Sequence, residues 1–173
     1  ANWRIMEKTG FKDIFIQPAA GDSGGAIGAA YAFSHMTLNN PRKFVMEHAL
    51  LGPEYSNEEI RTVLEKYNAQ FKEYKTDDEL IKTTADMLAN VKVVGWFQGR
   101  MEFGPRAMGC RSILANPKNP DMKEIINSKV KFREKFRPFA PSVIKEEASK
   151  YFDINIDAPY MLLIPPVHKD KRD

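Results

Sequence analysis

The 173-residue chain reads as an α/β (α+β) fold on three observations. Apolar stripes at helical spacing run over about 57–68 and 77–90, and the β-rich run Val91, Val93, Val94, Trp96, Phe97 follows directly, so helix leads into strand. Gly and Pro breaks at Asn39-Asn40-Pro41 and Leu51-Gly52-Pro53 punctuate the chain between periodic segments. With 43% hydrophobic and 28% charged residues and a net charge of +3, the composition excludes disorder and collagen. The apolar runs fall well short of the roughly 20 residues a membrane span needs.

In chain order, Asp13–Gln17 predicts a short strand closed by Pro18. The small-residue run from Gly21 to Ala30 leads into a helix reaching about Ser34. Residues 39–55 read as a connector, and a boundary there divides a first domain, 1–45, from a second, 46–173. Ser56 followed by Glu59 has capping-box spacing, and Ile60, Val63, Leu64 and Tyr67 form the stripe of the helix behind it. The next helix, from Asp77 to about Asn90, carries Leu80, Ile81, Thr84, Met87 and Leu88 on one side. Further helices are expected over 120–128 and 142–151, and a last strand over 159–164. Residues 165–173 are Pro-rich and then charged, with neither signal.

Charge is uneven. From Gln98 to Lys145 there are eleven Lys/Arg against four acids, a net of +7, which leaves −4 for the remainder. Such a segment suits an anionic partner, either a phosphorylated small molecule or a nucleic acid; the alternative is a solvated basic face. The lone Cys110 forms no internal disulfide and fits a reducing compartment. No charged-then-apolar leader opens the chain, so a cytoplasmic location is expected.

Three stretches carry chemistry. In QPAAGDSGGAIGAA (17–30), glycines can bring backbone N–H groups near a ligand, and Asp22 at the helix start can cap it or bind a metal. In GRMEFGPRAMGCRSIL (99–114), Arg100, Arg106 and Arg111 offer planar forks for phosphate or carboxylate oxygens. Gly104 and Gly109 there permit close approach, and Ser112 adds a hydroxyl. In KVKFREKFRPFAPS (129–142), cations at 129, 131, 133, 135 and 137 alternate with Val130, Phe132, Glu134 and Phe136. On an extended segment this puts the charges on one face, suited to a triphosphate or acyl phosphate in a cleft, or to RNA on a flat surface. His35, His48 and His168 show no metal-ligand spacing, and Cys110 has no neighbouring base.

Together these stretches resemble the O-carbamoyltransferases of the nodulation and antibiotic-biosynthesis type. QPAAGDSGGAIGAA, GRMEFGPRAMGCRSIL and KVKFREKFRPFAPSV are similar to that family's signatures, in the same order, and depart from them at Met108 for leucine and Cys110 for asparagine. The resemblance implies a YrdC-like mixed twisted sheet with flanking helices over 46–173, truncated at its end. Before it would come the strand–helix tail of an actin-like ATPase-fold domain over 1–45, so that the chain is a piece of a longer enzyme. It implies that the YrdC-like domain joins carbamoyl phosphate to ATP as carbamoyl-adenylate, and that the actin-like domain passes the carbamoyl group to a hydroxyl acceptor. Mg²⁺ would arrive with ATP. A noncatalytic RNA- or nucleotide-binding module is the alternative, although nucleic acid is not the expected partner and a membrane is not expected either.

By the same resemblance Arg106, Lys131 and Arg133 are the candidate catalytic residues. Arg100, Arg111, Ser112, Arg137 and Ser142 are the candidate substrate- and nucleotide-binding residues. Asp22 matches a metal-binding aspartate that would hold Fe²⁺ or another divalent ion, but only with histidines from the N-terminal part that this chain lacks.

Overall fold

The computed structural model describes residues 1–172; Asp173, the end of the expected second domain, lies outside them. The elements run α1 (Asn2–Lys8), α2 (Asp22–Ala32), α3 (Asn57–Lys66), α4 (Asp77–Ala89), β1 (Val94–Phe97), β2 (Arg111–Leu114), α5 (Met122–Ile125) and α6 (Ala148–Tyr151). Wider π-helical turns extend α2 over Phe33–Thr37 and α5 over Ile126–Val130, and 3-10 turns cover Lys145–Glu147 and Lys169–Lys171. Helix and strand are therefore mixed as expected, but the sheet is smaller than the sequence suggests.

Local chemistry explains the helices that were legible. Ser56 Oγ accepts the Glu59 N–H at 3.2 Å while the Glu59 carboxylate accepts the Ser56 N–H at 2.7 Å, so two end donors of α3 are satisfied reciprocally. Thr76 caps α4 through the Glu79 N–H at 3.3 Å, with Asp77, Asp78 and Glu79 in the first turn opposite the helix dipole.

Three expected strands do not form. At 13–17 the Ile14 N–H is taken by the Asp13 carboxylate at 2.7 Å, a local bond that competes with ladder pairing. Over 159–164 Met161 turns left-handed with φ 54°, which breaks extension; an isolated antiparallel bridge pairs Phe152 with Val167, outside that stretch. The alternating stretch from Lys129 to Arg137 is a correction of the same kind. Lys129 and Val130 close a π-helical turn, Phe132 sits at φ 47°, and Phe132 and Phe136 are 82% and 78% exposed, so no apolar face opposes a cationic one.

Two compact units result. The first comprises Ala1–Gly52, Glu102–Met108 and Ser142–Asp173. Its buried points are Pro18, Ala19, Ala49 and Glu102. Asn2 Nδ2 donates to the Leu162 carbonyl at 2.9 Å, and the Tyr160 hydroxyl donates to that of Met46 at 3.1 Å. The Phe15 and Tyr160 rings meet edge to face at 6.5 Å.

The second unit comprises Pro53–Met101 and Gly109–Pro141. Here β1 and β2 pair antiparallel with Val94 opposite Leu114 and Phe97 opposite Arg111, and α4 lies against β1. Thr84, Met122, Ile126 and Asn127 are its buried residues.

Candidate functional site

The turn between β1 and β2 is clamped at its base. Gln98 N–H donates to the Cys110 carbonyl at 3.0 Å, Gln98 Nε2 to that of Gly109 at 3.3 Å, and Gly109 N–H to Ser112 Oγ at 3.0 Å. Gly109 holds φ 123°, a conformation side chains rarely adopt. Ser112 and Arg111 stand on β2 opposite Trp96 and Phe97. Arg100 Nε lies 3.8 Å from the Glu54 carboxylate, an exposed pair of little energetic weight.

Residues 102–108 belong to the first unit, where they meet the QPAAG stretch. Glu102 is 5% exposed and accepts the Met108 N–H at 2.8 Å, closing this segment into a loop. Gly104, at φ 110°, lies so close to Ala19 that a Cβ on it would sit 3.1 Å from the Ala19 methyl. Arg106 Nη1 donates to the Pro18 carbonyl at 3.4 Å and lines a cavity of about 670 Å³ with Trp3, Arg4 and Leu162. Two signature stretches thus meet, through Gly104 against Ala19 and through a hydrogen bond between residues 88 positions apart in sequence.

In the second unit the basic segment is organised by a side chain outside it. Asn127 is fully buried, and its Nδ2 donates to the carbonyls of Lys135 at 3.3 Å and Arg137 at 2.9 Å. Its Oδ1 accepts Arg133 Nε at 2.7 Å, and its backbone carbonyl accepts the Arg133 N–H at 2.9 Å. The Phe139 ring lies 4.8 Å from the Arg133 guanidinium carbon. Lys135 pairs with Glu124, whose carboxyl that hydrogen bond and then the lysine's charge hold below the usual range; Arg137 pairs with Glu134 at 2.9 Å. Arg133 has no carboxylate partner among the described residues.

A carbamoyltransferase C-terminus family model matches residues 85–173, just over half of the chain, and the carbamoyltransferase N-terminus model matches residues 1–31. The chain belongs to the carbamoyltransferase family. The chain is 48% identical over 99% of its length to an uncharacterised Synechocystis protein, of which the match covers 29%. It is 38% identical over 99% to nodulation protein NolNO of Sinorhizobium fredii, covering 26% of that protein. It is also 36% identical over 96% to nodulation protein U of Rhizobium tropici, covering 27% of it. The chain therefore spans about a quarter to a third of the length of these relatives.

The candidate residues divide between the two units. Arg106, Ser142 and Asp22 lie in the first, and Arg100, Arg111, Ser112, Lys131, Arg133 and Arg137 in the second. Arg133 and Arg137 are joined through Asn127, which bonds the side chain of the first and the carbonyl of the second. Lys131 is exposed at the end of the π-helical turn, and Ser142 is exposed. Asp22 is exposed in the first turn of α2, and no group of three or more His, Cys, Asp or Glu suited to a metal ion occurs among the described residues. The described residues by themselves do not make up a site for the implied metal.

Sequence reading missed Asn127 and Glu102, both buried polar groups that shape loops. A single acid in a basic run, as Glu102 is between Arg100 and Arg106, was the available signal for the second. An asparagine inside a polar helix end gives none.

Proposed function

We propose that this chain is part of an ATP-dependent O-carbamoyltransferase. In this reading a YrdC-like domain binds ATP with Mg²⁺ and carbamoyl phosphate and forms carbamoyl-adenylate. An actin-like ATPase-fold domain, whose tail is residues 1–45, then passes the carbamoyl group to a hydroxyl acceptor. Carbamoyl phosphate and water give carbamate and phosphate; a carbamate oxygen attacks the α-phosphorus of ATP, and pyrophosphate leaves. The acceptor hydroxyl next attacks the carbamoyl carbon, losing its proton as AMP departs. The carbamate oxygen is already anionic, so its attack on the α-phosphorus needs no general base. What the protein must supply is cations that bring polyanions together.

The observation that carries this reading is Arg133, held at Nε by Asn127 and covered by Phe139, with no carboxylate to neutralise it among the described residues. A guanidinium in that state suits an anionic ligand better than the ion-paired Lys135 and Arg137. Titration calorimetry with ATP–Mg²⁺ and carbamoyl phosphate tests it. Saturable, base-selective binding should weaken roughly 10- to 100-fold in Arg133→Ala, the worth of a charge-assisted pair of hydrogen bonds. A second reading, an RNA- or nucleotide-binding module without catalysis, draws on the exposed Phe132 and Phe136 beside lysines. Binding across many sequences that falls steeply with salt, without base-selective ATP affinity, would favour it.

A further inference from the structure

We propose that Asn127 is a positioning residue that holds the Arg133 guanidinium so that its two Nη groups face a phosphate or carbamate oxygen. The proposal rests on the nucleotide reading of the basic segment and names the device that makes one of its cations selective.

Asn127 is 0% exposed, and both Nδ2 hydrogens and Oδ1 are engaged. A buried amide so completely satisfied is fixed in orientation, because any rotation would strand a polar group away from water. It lies in the π-helical turn Ile126–Val130, a widening of the helix that recurs at functional sites. Two of its four bonds go to Arg133, one to the backbone N–H and one to Nε. Between them the chain passes through Phe132 at φ 47°, a conformation a bulky residue keeps only where its surroundings impose it.

The consequence for Arg133 is subtractive. Asn127 uses Nε, and Phe139 covers a face of the guanidinium at 4.8 Å. What is left is the outer edge bearing Nη1 and Nη2, the fork that binds phosphate or carboxylate oxygens two at a time. A flexible arginine would have to be ordered on each binding event, whereas this one is ordered beforehand. Lys129 and Lys131 are exposed and lack such support.

Two measurements on the full 173-residue chain test the role. In proton–nitrogen correlation spectra the Arg133 Nε–H should exchange with water at least tenfold more slowly than that of the exposed Arg42, and Asn127→Ala should abolish the difference. In calorimetry with ATP–Mg²⁺ and with carbamoyl phosphate, Asn127→Ala and Arg133→Ala should each weaken binding roughly 10- to 100-fold, and the double variant should be no weaker than Arg133→Ala. Should Asn127→Ala fail to fold, Phe139→Ala, which strips the other support from the guanidinium, takes its place in the titration, and the wild-type exchange rate still stands. A folded Asn127→Ala variant that binds both ligands like wild type overturns the positioning role, as does an Arg133 Nε–H exchanging as fast as that of Arg42. A wild-type chain that binds neither ligand overturns the nucleotide reading itself, and with it the ligand named here.

Discussion

Adjacent glycines at the start of α2 should respond to the same substitution with opposite signs. A Cβ on Gly24 would run into the Ala19 carbonyl oxygen and lie 3.1 Å from both the Ala19 carbonyl carbon and Gln17 Cγ, whereas a Cβ on Gly25 meets nothing within 4 Å. The Gly24 N–H donates to that same Ala19 oxygen at 2.9 Å, so the helix cannot move away without giving up a bond. Both replacements gain the helical preference of alanine over glycine, about 0.5–1 kcal/mol. Gly24→Ala must also absorb an overpacked contact, a cost of about 1–3 kcal/mol. The helix gain cancels between the two variants, so their difference isolates the contact at about 1–3 kcal/mol. For a chain of this size that is a gap of roughly 2–12 °C in melting temperature. Parallel thermal melts followed by circular dichroism, with denaturant titrations as a check, measure it. A Gly24→Ala variant as stable as Gly25→Ala would refute the packing of the QPAAG turn against its helix.

Two pH responses follow from the same geometry. The Ser56 backbone N–H first, and its hydroxyl second, hold the Glu59 carboxyl below its ordinary value. Its contribution is therefore present above the unfolded pKa and lost as pH falls through the folded one. Amide exchange along α3 should speed up on acidification, and Glu59→Gln should remove that dependence. Burial first, and the charge of Glu47 second, push the Tyr160 phenol up. That contribution is complete below the unfolded pKa and is lost as pH rises through the folded value, so alkaline unfolding should have a component that Tyr160→Phe lacks.

Legibility in the sequence followed the range of the interactions. The capping box at Ser56 and Glu59 spans three residues, and α3 forms where that spacing and its apolar stripe place it. The run ending at Phe97 forms a strand because β2 arrives to pair with it. Lys129–Arg137 has the alternation of a strand, but Asn127 reaches 6 to 10 residues forward and takes the Arg133 side chain and two carbonyls into bonds no periodicity encodes. The meeting of Gly104 and Arg106 with the QPAAG turn is longer in range still. Its glycines and arginine were visible as types, but the partner was not.

The chain passes from one compact unit to the other after Gly52, Met101, Met108 and Pro141. No single cut can release either unit as one continuous piece. Excising 53–141 would carry the 102–108 loop away with it, taking Gly104 from its approach to Ala19 and Arg106 from the Pro18 carbonyl. Recombination that exchanged one unit between relatives would face the same arithmetic, since no single crossover at these junctions exchanges the whole of one unit and none of the other. The interleaving makes the pair a single inheritable block.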